Sequence, residues 1–438
     1  MIDNDYFWKE MRQLLSDDEY AQFVIDTEKE MCKSLRVNTH KTTADFLKKY
    51  LPLGQQSNFD VNTYLLNSDD KLGKHPFHLA GMYYLQEPSA TTAVNALDVQ
   101  KDDIILDLCA APGGKSTQIL NRLSDKGFLI SNEYDKKRAN ILLNNLERWG
   151  YDNYLLINTT AENLCSQIEG CCDKVLVDAP CSGASMFKKY PESIKEYTPK
   201  NVLSCQKRQL DILDQAYRAL KQNGILVYST CTYNLTENEE TIKVFCLKHP
   251  DMELIDTGLC CGQAGYDEKG YTRRVFPFNG GEGHFVAKMR KSGEQKKKKL
   301  KTVNFSSDKI IDKFIKENYN GDLNYTIIND RIYCSNYPLI QLSGNVYRCG
   351  VLLGEIIKNR IEPAHHFFIT YKDFRNIYNI IDENMLKLFL NGQSLPINGY
   401  SGYVQIRYLD VPIGFGKADG KQIKNHLPKG LRVPLTSF

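Results

Sequence analysis

The sequence predicts an α/β core: a mainly parallel, doubly wound sheet with helices packed on both faces. Three observations point there. From residue 104 onward, short apolar runs alternate with helical patterns. A glycine turn follows the first run, and two later runs each lead into a cysteine.

The elements follow in order. "IILDLCA" (104–110) is apolar and short, as a strand buried on both faces requires. The turn "PGGKS" leads into a helical "STQILNRLS", and "GFLISNEYD" is the second strand. Leu142, Leu146 and Trp149 then recur at i, i+4 and i+7, one face of a helix. "YLLIN" and "KVLVDAP" are the third and fourth strands. A long helix places Leu210, Leu213, Tyr217 and Leu220 on one face and is expected to stop at Gly224. "ILVYST" is the fifth strand, and "TENEETIKVFCLKH" a helix capped by Thr236 with acids in its first turn. Such sheets bind ligands at the carboxyl ends of their strands, where the strand order reverses.

Size and composition set the outer bounds. At 438 residues the chain is long enough for about three domains of roughly 150 residues each. Hydrophobic content of 42% and charged content of 25% are ordinary for a soluble globular protein. No apolar run approaches the roughly 18 residues of a membrane helix, so no membrane partner is expected. The start, "MIDNDYFWKEMRQLL", lacks the pattern of a signal or transit peptide, which makes the cytoplasm the expected location. The 13 cysteines are odd in number and contain no C-x-x-C, an argument for reduced thiols. "HPFH" (His75, His78) comes nearest to zinc spacing but has no partner pair, so no metal is expected. "KMRKSGEQKKKKLK" (288–301) carries eight basic residues and one acid and reads as a solvated linker. The expected divisions are an α+β amino-terminal extension (1–75), the core (76–290), a basic linker (291–301), an intermediate domain (302–388) and a mostly β carboxyl-terminal region (389–438).

The topology gathers the distinctive residues at one sheet edge. "CAAPGGKS" (109–116) follows the first strand, and Gly113 and Gly114 let its backbone turn sharply beside a ligand. Glu133 ends the second strand, 26 residues beyond Asp107, where an acid commonly holds ribose hydroxyls. Asp178 and Cys181 follow the fourth strand and Cys231 the fifth. A phosphate loop needs glycine at position 109, which is cysteine, and G-x-G-x-x-G is absent. A glycine turn with a ribose acid and no phosphate cradle fits S-adenosyl-L-methionine; plain α/β packing is the competing account of the glycines.

Two thiols beside such a ligand suit one chemistry. C5 of cytosine is a poor nucleophile until a thiolate adds to C6 and pushes electron density onto it. A free thiol is only a few per cent ionised at pH 7, so its pKa must be lowered or its proton accepted. Asp178 is placed to hydrogen-bond the base and Lys115 to supply positive charge. Two cysteines divide the labour between addition and release; the residues themselves do not rank them. Buried core thiols are the bland alternative, weakened by both motifs flanking one turn.

"DLCAAPGGKS", "NEYDKKRANILLNNLERWG", "VLVDAPCSG" and "ILVYSTCTYNLTENEE" together resemble, in order and spacing, the motifs of the Sun-type RNA cytosine-5 methyltransferases. The resemblance implies a Rossmann-like class I methyltransferase core with S-adenosyl-L-methionine as donor. It implies Cys231 as nucleophile and Cys181 as the thiol needed for product release. Cofactor contacts carry over to Cys109, Ala110, Ala111, Pro112, Gly113, Gly114, Lys115, Glu133 and Asp178. After the third strand the family often has an acid or amide near the adenine; by spacing Thr160, in "INTTAEN", occupies that place. "SLRVNT" (34–39) and "HPFHLAGMYYLQEPSA" (75–90) resemble the family's amino-terminal extension. "GVLLGEIIKNRIEPAHHF" and "GFGKADGKQIKNHLPKGLRV" resemble the intermediate and PUA-like modules of a ribosomal branch. That branch implies 16S ribosomal RNA, or the small subunit, as partner. The alternatives are a transfer RNA substrate and a non-catalytic RNA-binding assembly factor.

The tail suits RNA physically. "GYVQIRYLDVPIGFGKA" alternates as a strand pair turning near Asp410. Lys417, Lys421, Lys424, Lys429 and Arg432 are candidates for phosphate contact. Tyr400, Tyr403 and Tyr408 either stack on bases or belong to the core. In "MFKKYPE", Lys188 and Lys189 are further phosphate candidates. A cytosine inside a duplex hides C6, so the target is expected to be single-stranded or flipped out, at a cost of a few kcal/mol.

Overall fold

The computed structural model describes residues 3–67, 72–293 and 299–434. The five apolar runs become the middle of a ten-stranded sheet. Ile104–Asp107 lies at its centre, with Phe128–Asn132 and then Tyr154–Asn158 on one side and Cys172–Asp178 and then Leu220–Thr230 on the other. All four of these pairings are parallel. The strand order therefore reverses between Ile104–Asp107 and Cys172–Asp178. Antiparallel strands finish both edges: His284–Lys291 runs beside Leu220–Thr230, and Asn345–Cys349 beside Tyr154–Asn158.

Helices cover both faces, which is why the central strands are apolar throughout rather than alternating; all five residues of Phe128–Asn132 are buried. Helix Lys136–Trp149 turns Leu142, Leu146 and Trp149 into one face of the core, where each large apolar side chain contributes about 1.5–3 kcal/mol. Helix Pro199–Ala219 buries Leu213 and Ala216 on the opposite face.

Three local expectations are corrected. The long helix ends at Ala219, and Leu220 already belongs to the strand. Gly224 lies within that strand, where a Cβ would meet the Asp173 carbonyl at 2.9 Å; its smallness serves sheet packing, not helix termination. Thr236 is no cap. The next helix starts at Glu239, because Asn234 and Glu237 are held in a preceding turn by Glu237 N–H donating to Asn234 Oδ1 at 2.8 Å. The basic run does not begin as a solvated linker either. Lys288–Lys291 completes a strand, and the buried Lys291 ammonium donates to the Tyr217 carbonyl at 3.0 Å. Residues 294–298 of that run lie outside the described residues.

The amino-terminal extension contributes a four-stranded antiparallel sheet that runs past residue 75 to include Tyr83–Gln86. The intermediate segment forms a second four-stranded sheet and also lends Asn345–Cys349 to the central one. The tail's sheet takes its first strand, Ile377–Ile380, from before residue 389. Its hairpin turns at Leu409 and Asp410, whose φ values of 50° and 64° match a type I′ turn between twisted strands. Tail and extension share a core in which Leu35, Val37 and Phe77 join Phe389, Val404 and Ile413. Among the described residues no helix is long and apolar enough to cross a membrane.

Candidate active site

The glycine turn is built by its neighbours. After Asp107 the chain crosses the sheet edge and enters helix Gly114–Leu120. Gly113 has φ of +113°, a conformation L side chains avoid, and a Cβ there would press on Leu142 Cδ1 at 3.0 Å. Arg36 of "SLRVNT" is fully buried and donates to the Gly114 carbonyl at 2.9 Å and to Thr117 Oγ1 at 2.6 Å. Burial lowers its pKa to about 10, so it remains a cation. Arg138 Nη2 and Asn145 Nδ2 donate to the Ala111 and Pro112 carbonyls at 2.6 and 2.7 Å. The extension thus clamps the turn from one side and helix Lys136–Trp149 from the other.

The two cysteine loops meet because their strands are neighbours, with Asp178 in register with Ser229. Cys181 Sγ and Cys231 Sγ are 3.3 Å apart. Lys115 Nζ donates to Asp178 Oδ2 at 2.7 Å and Ser229 Oγ to Asp178 Oδ1 at 2.7 Å. The hydrogen bond from Cys181 holds the Cys231 thiol below the ordinary cysteine range despite its burial, and Lys115 assists. Cys181, as the donor of that bond and buried near Glu237, is pushed well above it. Burial opposes both charges of the Lys115–Asp178 pair, but the pairing, helped on the aspartate by the Ser229 hydroxyl, prevails, raising the lysine and lowering the aspartate.

Glu237 anchors the Cys181 loop, and nothing in the sequence reading singled it out. Fully buried, its carboxylate accepts from Ser182 N at 2.9 Å, Gln209 Nε2 at 2.8 Å, Asn234 Nδ2 at 2.8 Å and the Ser182 hydroxyl. An acid within an otherwise polar "LTENEE" carries no pattern that predicts burial. Glu237→Ala leaves these donors without an acceptor and is expected to cost ~3 kcal/mol. Thermal unfolding followed by calorimetry should show a midpoint lower by roughly 3 °C for a chain of 438 residues.

A cleft of about 660 Å³ opens at the point of strand reversal. Asp107, Cys109 to Pro112, Gly114, Lys115, Asp178 and Cys231 line it, with Arg138 and Lys189 at its walls. The remaining expected residues stand outside this lining. Gly113 shapes the turn from beneath, and Cys181 reaches the cleft through Cys231. Glu133 is buried at the second strand's end, its carboxylate accepting from Asp135 N at 2.9 Å and Ala111 N at 3.3 Å. Two further expected residues have partners of their own. Thr160 is an exposed helix cap whose hydroxyl accepts from Asn163 N at 3.2 Å. Lys188 is engaged internally, donating to the Asp26 carbonyl at 3.0 Å and pairing with Glu282 at 2.9 Å, so it holds the loop rather than phosphate. In the tail, Lys417, Lys421, Lys424, Lys429 and Arg432 are all exposed; Lys424 pairs with Asp419 at 3.5 Å. Tyr403 packs among Phe314, Phe368 and Phe415 and Tyr408 lies near Phe77, so both serve packing.

The cleft fits an amino-acid-bearing donor. Asp107 is completely buried, and Ser116 Oγ donates to its Oδ2 at 2.6 Å, while Oδ1 has no partner. Burial raises its pKa to about 7. A buried, half-satisfied carboxylate on a ligand cleft calls for a cation, and the α-ammonium of S-adenosylmethionine supplies one. The site assigned from motifs did not include Asp107, although an acid ending a buried apolar run was a signal in plain view. An ammonium seated on Asp107 requires the carboxylate ionised, so affinity is expected to rise with pH through about 7. S-adenosylhomocysteine is expected to bind about fivefold tighter at pH 7 than at pH 6. Isothermal titration of Asp107→Asn should show that dependence flattened.

Comparison with known proteins identifies the family. A family model for 16S rRNA methyltransferase RsmB/F matches residues 94–290, one for the N-terminal domain of 16S rRNA methyltransferase RsmF matches 4–88, and one for the methyltransferase RsmF PUA domain matches 380–433. Ribosomal RNA small subunit methyltransferase F of Vibrio atlanticus (strain LGP32) is 30% identical over 94% of this chain and 93% of its own. That of Aeromonas salmonicida (strain A449) is 29% identical over 94% and 93%. Among solved structures, a methyltransferase homologue from Pyrococcus horikoshii is 28% identical, with TM-score 0.57 over 66% of this chain and 95% of its own. NSun6 from the same organism, at 21% identity and TM-score 0.58 over 66% and 99%, shares the fold. The chain belongs to the RsmB/F family of 16S ribosomal RNA methyltransferases, enzymes that use S-adenosylmethionine, and it carries that family's amino-terminal and PUA modules around a Rossmann-like core.

Proposed function

We propose that this protein methylates C5 of a cytosine in 16S ribosomal RNA through a covalent bond from Cys231 to C6 of the base. The observation that carries the reading is the pair of sulfurs 3.3 Å apart on a cleft that also holds the Lys115–Asp178 pair. S-adenosylmethionine, when bound, supplies an electrophilic methyl group. Cys231, its thiol held below the ordinary range by Cys181 and Lys115, adds to C6 as the thiolate. Asp178 holds the base through its amino group or ring nitrogen and so eases the charge that addition places on the ring. After methylation a water molecule admitted to the cleft takes the C5 proton as base, the C5–H electron pair re-forms the C5=C6 double bond, and the C6–S bond breaks with Cys231 departing as a thiolate. Cys181 donates its S–H to that thiolate, which stabilises the leaving group. Asp107, the Cys109–Pro112 turn and Gly114 hold the donor, while Lys189 and the exposed tail lysines face phosphate. The small subunit or its RNA is the partner, in the cytoplasm.

Bisulfite sequencing of ribosomal RNA from cells with and without the gene tests the reading. One or more protected 16S cytosines should become convertible when the gene is removed. Unchanged 16S protection with a newly convertible cytosine in transfer RNA would instead move the substrate there.

A further inference from the structure

We propose that His284 reads the exocyclic amino group of the target base, through an imidazole Nε2 locked as a lone-pair acceptor by Ser89 and Glu87. The inference rests on the cleft being a cytosine site.

Position comes first. Strand His284–Lys291 pairs antiparallel with Leu220–Thr230 as far as Phe285 opposite Thr230. One step further along the same register sets His284 beside Cys231. Gly283, with φ of +129°, makes the approach possible: a Cβ there would meet Tyr233 Oη at 2.5 Å and Ser185 Cβ at 2.7 Å. The imidazole lines the cleft together with Cys231, Lys115 and Asp178.

The tautomer follows from counting protons. Glu87 accepts from Ser89 N at 2.9 Å, Ala90 N at 3.0 Å, Glu282 N at 3.1 Å and Ser89 Oγ at 2.6 Å. Four donors fill the four lone-pair sites of a carboxylate, so Glu87 has no proton to give. The single hydroxyl proton of Ser89 is committed to it. His284 Nδ1, 2.9 Å from Ser89 Oγ, must therefore be the donor of their bond. Nε2 is left bare, and it makes no hydrogen bond among the described residues. Burial and the Lys115 ammonium keep the ring neutral, with its pKa down to about 3.

A neutral imidazole presenting only a lone pair selects a donor. The C4 amino group of cytosine is one; the O4 carbonyl of uracil is an acceptor and would leave two lone pairs opposed. Sites built to hydrogen-bond an N–H reject analogues that lack it. The cytosine amino group has two N–H bonds, enough for His284 and Asp178 together.

The test varies enzyme and base at once. RNAs carrying cytosine or 2-pyrimidinone, which lacks the amino group, at the mapped target position are methylated by wild type, His284→Phe and His284→Gln. The expected result is a cytosine-to-pyrimidinone ratio of kcat/KM at least tenfold lower in H284F, with H284Q, which keeps an acceptor, restored toward wild type. An unchanged ratio overturns the proposal, and so does loss of both reactions in H284F and H284Q alike while S-adenosylhomocysteine binding persists. If wild type fails to methylate cytosine, the reading of the cleft itself is what falls.

Discussion

Cys231→Ala is expected to lower methyl transfer from labelled S-adenosylmethionine by at least about 10^4-fold, equivalent to roughly 5.4 kcal/mol in the barrier. The size of the effect follows from what is removed. Without addition at C6 there is no electron density at C5 for the methyl group to meet, and no neighbouring side chain can take over. Cys181 stands 3.3 Å from the Cys231 sulfur and outside the cleft lining, and burial and the nearby Glu237 still hold its thiol up when Cys231 is gone. RNA carrying 5-fluorocytosine provides a second readout. Its fluorine blocks loss of the C5 substituent, so wild type should form an adduct that survives denaturing electrophoresis and Cys231→Ala should not. Turnover close to wild type in this variant would sink the covalent mechanism.

Cys181→Ala is expected to do something different: the adduct accumulates on RNA with an ordinary cytosine, and steady-state turnover falls by about 10²–10³-fold, or roughly 3–4 kcal/mol. The alanine removes the S–H that stabilises Cys231 as a thiolate. That stabilisation matters at both ends of the reaction, but release depends on it more, because there the thiolate is the leaving group. The pH dependence has a definite sign. Loss of the donor lets the Cys231 pKa climb back, so adduct formation in the variant should need higher pH than in wild type. Single-turnover rates measured across pH would reveal this, and a variant that neither retains RNA nor shifts its profile would contradict the assigned division of labour. The Cys181→Ala/Cys231→Ala double variant should form no adduct at all.

The core was legible in the sequence because burial on both faces leaves a strong mark. "IILDLCA", "YLLIN" and "KVLVDAP" have too little polarity to be anything but interior strands between helices. Element ends were less legible. Gly224 looked like a helix stop, yet the helix gives way at Ala219 because Leu220 is needed in the sheet beside Cys172. Thr236 looked like a cap, yet the turn before the helix is organised by Glu237 bonding to another loop. A cap is a local motif; which of two candidate residues serves as the boundary depends on partners distant in sequence.

The site divides in the same way. Local strings determined that a glycine turn, an acid and two thiols would sit at the carboxyl edge of one sheet, since parallel strands joined by helical crossovers all end on the same side. Only the folded chain decided which of these touch. It put the two sulfurs in contact and turned Lys115 to Asp178. It also recruited Asp107, Glu237, Arg36 and His284, whose surroundings come from segments remote in the chain. It withdrew Thr160 to a surface cap and Lys188 to an internal ion pair. The physical reason is range: strand and helix follow from side chains within a few residues, whereas burial, protonation and hydrogen-bond partnership are set by whatever the tertiary fold brings alongside.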